Sequence, residues 1–252
     1  VGWVTFREVL RQKLLYNILL LAALLFGLSF LASHMTFIGP DRVVMDFGIA
    51  AMNLSGAAIA ILMGSALINR EFERRTIFVA LSHPISRFQF LFGKYLGLAG
   101  ILVLNWLLFS GLLAWIIWSA GGSADFTPTY FCAIFFLLLE ALVLEAIAVF
   151  FSTFTTTALA AVLSIGVYLV GNNISQLRLL ATRLLKDDAF AAGALNAVAA
   201  VFPNLENFNL SFKVTYGLPV ARDSVYMTIS YAAAAILFAL LLAGLTIERR
   251  EG

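Results

Sequence analysis

Side chains able to do chemistry are concentrated in two places. The first is a charged island between two apolar runs, Asn69–Gly97, reading NREFERRTIFVALSHPISRFQFLFGKYLG. Its acids, arginines, His83-Pro84 turn and Gly93-Lys94 pair suit protein docking rather than catalysis. Phe72 and Phe78 can fill a cleft in a soluble partner while Glu71, Glu73, Arg74 and Arg75 set the register. A basic flank beside a membrane span has the same composition, so that reading stands beside the docking one. The second place is an apolar run containing Glu140 and Glu145. Five residues apart, they lie about 140° apart around a helix and do not form a paired acid–base site. An ionisable group within a span marks a functional position, because burying it is costly. The alternative is a hydrogen-bonded structural acid, with Asn105 or a flanking arginine as the partner of Glu145. Asn53, Asn105 and Asn172 are further pathway candidates on other runs, and Asn173 is polar too. Hydrogen bonding between helices is the other role open to these amides.

Catalytic sets are missing from the sequence. Zinc needs about three protein ligands, and His34 and His83 are the 2 histidines. His83 reads as a turn residue, and no metal site is expected. HExxH, GxSxG and an intramembrane lysine for a serine–lysine dyad are all absent. Gly93-Lys94 is followed by Tyr95 and has no glycine five residues earlier, so it is not a phosphate-cradling loop. The single cysteine, Cys132, excludes an internal disulfide and a CxxC site. The chain is expected not to be an enzyme and to carry no cofactor.

The elements that position these residues follow from hydropathy. Of 252 residues, 62% are hydrophobic and 12% charged, against about 25% charged in soluble domains. The mean hydropathy is +0.97. A net charge of +2 does not call for nucleic acid; the expected solvent is a lipid bilayer. Six runs reach the length needed to cross roughly 30 Å of hydrocarbon, at 14–33, 47–69, 95–118, 130–151, 157–177 and 225–247. They must be helical, since irregular backbone facing lipid leaves amides unpaired. The first is read as a retained helix rather than a cleaved signal. An even number of spans puts both termini on one side. That side carries Arg7, Arg11, Lys13, Arg70, Arg74, Arg75, Arg87, Lys94, Arg249 and Arg250. The other carries Arg42, Arg178, Arg183, Lys186, Lys213 and Arg222. Both termini and the island are therefore expected to be cytoplasmic.

The expected fold class is all-α: one polytopic membrane domain over residues 1–252 with six transmembrane helices. Residues 1–13 read as an amphipathic helix with Trp3, Phe6, Val9 and Leu10 on one face, either lying among headgroups or touching a partner. In the island, Glu71 and Arg75 form an i,i+4 pair, and Phe72, Thr76 and Val79 share a face. That helix must stop before Pro84. Ser86 can cap a second helix carrying Arg87 through Lys94 into the third span. Residues 178–222 form a long outer loop in which Ala189–Phe202 is apolar but too short to cross, as in a re-entrant or interfacial helix. Gly56, Ala57, Ala60 and Gly64 form a small-residue face, suited to a seam between two copies or to packing within one.

The run Glu71-x-Glu73-x-Arg75-Thr76-Ile77, then Leu81-Ser82-x-Pro84-Ile85-Ser86-Arg87, then Phe90-Leu91-x-Gly93-Lys94-Tyr95-Leu96-Gly97, resembles the segment after the second span of ABC type-2 permeases. It looks closest to the branch holding the permease of the nitrous-oxide-reductase maturation system. Many members of that family carry lysine where this chain has His83. Phe202–Phe208, with Pro203, Asn204 and Glu206 as outer-gate candidates, looks like the family's outer loop. The resemblance implies a bacterial or archaeal inner-membrane permease, acting as an exporter. It implies a coupling helix within 70–94 seated in a separate ATPase that supplies ATP and magnesium. The implied assembly has two ATPase subunits, a second permease copy as a homodimer, and a periplasmic accessory protein. The alternative is a non-transporting module that transmits ATPase-driven motion to a periplasmic partner. The scattered methionines Met35, Met45, Met52, Met63 and Met227 weigh against direct copper transport. A lipid, glycan, peptide or sulfur compound stays open as cargo.

Overall fold

The computed structural model describes residues 2–11, 16, 19–20, 23–24, 26–27, 31, 40–69, 87–119, 128–183, 189–215 and 218–250. Those residues form helices and short connections, with no strand among them. The helices are α1 (Gly2–Leu10), α2 (Pro40–Leu67), α3 (Arg87–Ser119), α4 (Pro128–Ser152), α5 (Thr157–Gly171), α6 (Ile174–Arg183), α7 (Ala189–Val201), α8 (Ser211–Thr215) and α9 (Arg222–Arg250). Proline opens α2 and α4, where its missing N–H costs nothing. Asp223 sits in the first turn of α9, where a carboxylate suits the helix dipole.

Among the described residues, four segments are long and apolar enough to cross a membrane: Met45–Leu67, Phe88–Ile116, Thr129–Ser152 and Arg222–Thr246. A fifth crossing would be the α5–α6 pair, which bends by 62°. The run expected at 157–177 is therefore not straight; it breaks at Asn172 and Asn173. Most of the run expected at 14–33 lies outside the described residues. Within it, Phe26 is buried and stacks on Phe109, with centroids 5.2 Å apart.

Helix α4 is the axis of the bundle, packing on α2, α3, α5 and α9. The small-residue face of α2 is the reason its contact with α4 is so close. A Cβ on Gly56 would lie 3.5 Å from the Ala141 Cβ, and one on Gly64 only 2.9 Å from the Ala148 Cβ. This face is a seam within the chain, which decides between the two uses open to it. Leu98, Leu102, Ile134, Leu137, Val143 and Leu144 fill the layer beside it. At one end of the bundle Leu91, Val149 and Ala243 cluster, and the Thr153 and Thr246 hydroxyls lie 2.6 Å apart. At the far end Thr129 donates to the Leu218 carbonyl at 3.2 Å.

The amphipathic N-terminal helix is present as α1, with Val9 of the expected face buried and Phe6 and Leu10 packed against the same core, while Trp3 of that face turns outward. Thr5 and Val9 are inside, while Trp3 is 69% exposed and Val4 66%. The buried stripe follows i, i+4 spacing against α3, with Gly2 and Phe6 beside it.

Candidate functional site

Glu140 is held at the break between α5 and α6. Asn172 caps the end of α5, and its backbone N–H bonds the Tyr168 carbonyl at 3.1 Å. Its side-chain amide then donates to Glu140 Oε1 at 2.8 Å and to the Tyr168 carbonyl at 3.2 Å. From α2, the Asn53 amide donates to Glu140 Oε2 at 2.9 Å, while Asn53 Oδ1 accepts the Tyr168 hydroxyl at 2.7 Å. Four side chains from α2, α4 and α5 thus close one network around a buried carboxyl. An unpaired polar group in hydrocarbon is costly, so such a network fixes how the three helices sit together.

Glu145 is separate. It is fully buried, and neither carboxyl oxygen has a hydrogen-bond partner among the described residues. It points away from the Glu140 network, as their angular separation requires. Around that turn of α4, a Cβ on Gly64 would come within 3.3 Å of the Glu145 carbonyl. Tyr95 donates to the Leu142 carbonyl at 3.3 Å and packs with Ala146, Ala239 and Leu240. The pairing of Glu145 with Asn105 does not occur. Asn105 Nδ2 has no partner among the described residues and lines a cavity of about 10 Å³ with Met52, Gly56 and Leu138. Asn173 bonds back to the Leu169 carbonyl at 2.8 Å rather than across helices. Of the five pathway candidates, the structure brings Asn53, Glu140 and Asn172 together and leaves Glu145 and Asn105 apart.

The far-end residues Pro203, Asn204 and Glu206 belong to a segment that staples the same break. The Leu205 N–H donates to the Gly171 carbonyl at 3.0 Å. A Cβ on Gly171 would meet the Pro203 carbonyl oxygen and Leu205 Cγ at 2.8 Å, so the approach needs glycine. Glu206 Oε2 accepts the Ser175 N–H at 3.0 Å in the first turn of α6, satisfying an orphan donor there. The Asn204 N–H donates to the Tyr231 hydroxyl of α9 at 2.8 Å, and Phe208 packs 6.2 Å from the Tyr231 ring. Tyr168, Gly171 and Tyr231 are the residues that sequence reasoning missed. The one local signal was Gly171-Asn172-Asn173, a turn-forming triplet inside an apolar run.

At the opposite end, Glu71, Phe72, Glu73, Arg74, Arg75, Thr76, His83, Pro84 and Ser86 lie outside the described residues. Arg87 begins α3, which runs without a break through Gly93 and Lys94 into the span, as expected. Lys94 is turned into the chain. It is 5% exposed, sits 3.9 Å from Glu8 Oε2, and lies 5.8 Å from the Phe90 ring centroid. This contact is part of a glycine groove that receives α1. A Cβ on Gly97 would lie 2.5 Å from the Gly2 carbonyl and 2.6 Å from the Thr5 Cβ; one on Gly100 would lie 3.1 Å from Phe6.

Among the described residues no group of three His, Cys, Asp or Glu side chains is placed to hold a metal. The family described as ABC-2 family transporter protein matches residues 3–247. No curated protein matches the chain.

Proposed function

This chain belongs to the ABC-2 family of transporter proteins, and on that premise we propose how it works as the membrane subunit of an ATP-driven exporter. As a multi-pass permease of that family it associates with an ABC ATPase. The finer reading is that residues 70–94 are the docking and coupling region for that ATPase. Glu71, Arg74 and Arg75 set its register, and ATP and magnesium are bound and turned over by the partner, not here. Two ATPase subunits and two permease copies make the complex, in an inner membrane with both termini cytoplasmic. The 71–97 motif supports a place in the branch that resembles the permease of the nitrous-oxide-reductase maturation system.

One observation carries the coupling reading. Helix α3 is unbroken from Arg87 to Ser119, and α1 is seated in its glycine groove and tied to it through Lys94 and Glu8. A push on the segment before Arg87 is therefore passed to α3 and α1 as one body. Close packing without room to yield transmits displacement instead of absorbing it. The network at Glu140 then links α2, α4 and the bent α5, the elements that must move if the far end is to open.

A second reading, a module that passes motion to a periplasmic partner without moving cargo, is favoured by the far-end staple. Residues 204–208 are bonded to α5, α6 and α9, so helix motion would be delivered to that face. Co-purification of the tagged chain with its ABC ATPase, in wild type and Arg75→Glu, tests the coupling claim. Loss of the complex and of permease-stimulated ATP hydrolysis in Arg75→Glu is the expected result. An equally stable, equally active complex in the variant would remove residues 70–94 from the interface.

A further inference from the structure

We propose that the far end of the bundle holds a binding site for an anionic amphiphile, an alkyl chain carrying a phosphate or carboxylate group, with Lys213 as its anion-binding residue. The proposal rests on the reading of this chain as a membrane permease only in placing the site beside lipid. A cavity of about 470 Å³ lies between the 206–213 segment, α4 and the start of α9. That is within the size range of small-molecule sites. Its apolar wall includes Phe136, Val220 and Met227, and its polar wall includes Glu206, Asn207 and Lys213.

The charge balance of the polar wall decides the sign of the ligand. Glu206 is engaged by the Ser175 N–H in the first turn of α6, where the helix dipole offsets its negative charge. The Asn209 side-chain oxygen is taken by the Ser211 N–H at 3.0 Å, and the Thr228 hydroxyl by the Ser224 carbonyl at 2.8 Å. Lys213 is half-buried, and its ammonium has no ion pair or hydrogen bond among the described residues. Its backbone is pinned by the Leu218 N–H at 2.8 Å to its carbonyl. The Asn207 side-chain amide lines the same wall and has no partner among the described residues. With the Glu206 carboxylate directed to Ser175 rather than to Lys213, the ammonium and an amide donor together suit an oxyanion.

The opposite wall determines the rest of the ligand. Phe136 closes the inner end of the cavity, and Leu210, Val220 and Met227 complete its apolar side. Met227 is 70% exposed at the rim, on a helix apolar enough to cross the membrane. Its unbranched thioether suits chains of variable shape. An inorganic anion would leave that apolar side uncovered, and a neutral alkane would leave Lys213 unpaired; an amphiphile satisfies both. A phospholipid and a soluble amphiphilic cargo share this chemistry.

The test uses the full chain in phosphatidylcholine nanodiscs, with Met227→Trp as a rim fluorophore. Hexyl phosphate, inorganic phosphate and 1-hexanol are the probes. Hexyl phosphate is expected to give a saturable emission change that the other two do not reproduce. Lys213→Gln should weaken it about tenfold, the size of one hydrogen bond to an ionised group, and Lys213→Arg should restore it. Equal response in Lys213→Gln, or a hexanol response matching that of hexyl phosphate, overturns the proposal. Adding phosphatidylglycerol to the nanodisc separates the two sources. Competition with hexyl phosphate assigns the site to lipid, and its absence assigns it to a soluble anion. Co-purification with the ATPase is read in the same samples. Probe binding without ATPase association would keep the site and count against the permease reading; the reverse would do the opposite.

Discussion

Replacing Glu140 by leucine keeps most of the side-chain volume and removes both acceptors of the buried network. The Asn53 amide then loses its bond to Oε2 and the Asn172 amide its bond to Oε1. The two losses are unequal. Asn172 retains the Tyr168 carbonyl at 3.2 Å, whereas Asn53 Nδ2 has no second acceptor among the described residues. Interhelical hydrogen bonds in membranes average about 0.6 kcal/mol and reach about 1.7. Two of them place the cost of Glu140→Leu at about 1 to 3 kcal/mol. Glu140→Gln keeps one acceptor and should cost about half as much. The Asn53→Leu, Glu140→Leu double variant should be less destabilised than the sum of its single variants, because the orphaned amide is gone. Reversible unfolding in mixed micelles, followed by circular dichroism, measures all four members of the cycle. Additivity within about 0.3 kcal/mol would mean the two side chains do not interact. An unchanged stability in Glu140→Leu would show that this network does not hold α2, α4 and α5 together.

Three other outcomes are expected. Gly171→Ala should loosen the far-end staple by about 1 to 3 kcal/mol, because its Cβ meets the Pro203 carbonyl and Leu205 at 2.8 Å. Gly166→Ala, with nothing within 4 Å, should be neutral, and proteolysis within 202–210 reports the difference. Gly97→Leu should expel α1 from its groove and raise hydrogen exchange across residues 2–10, whereas Gly111→Leu, facing open space, should leave that exchange unchanged. Glu8→Lys should also raise exchange in α1 by setting a second cation beside the buried Lys94, and adding Lys94→Glu should reverse part of it; equal exchange in both would remove the ion pair from the docking of α1.

Much of the architecture was legible in the amino-acid order. The ends of the four candidate spans fall within two residues of the apolar runs and their starts within seven, because crossing hydrocarbon sets a length that composition records directly. The continuity of α3 through Gly93-Lys94 was legible for the same reason: no proline interrupts it. The α5–α6 break was not. Gly171-Asn172-Asn173 permits a bend without requiring one. The bend is held by Glu140 and by the Leu205 N–H, 32 and 34 residues away along the chain.

The site shows the same division. From its residue types alone the sequence determined a lipid-embedded helical chain, and its 71–97 motif carried the resemblance to the ABC type-2 permeases. It also determined that Glu140, Glu145, Asn53, Asn105 and Asn172 are polar groups needing an account. Transfer from water to hydrocarbon is a property of each residue, so it can be read one position at a time. Tertiary structure alone decided that Glu140 is bonded while Glu145 has no partner among the described residues, that Lys94 turns inward to Glu8, and that Gly97 makes room for Thr5. A hydrogen bond or a close approach depends on how two helices cross and rotate, and neither angle is encoded at a single position.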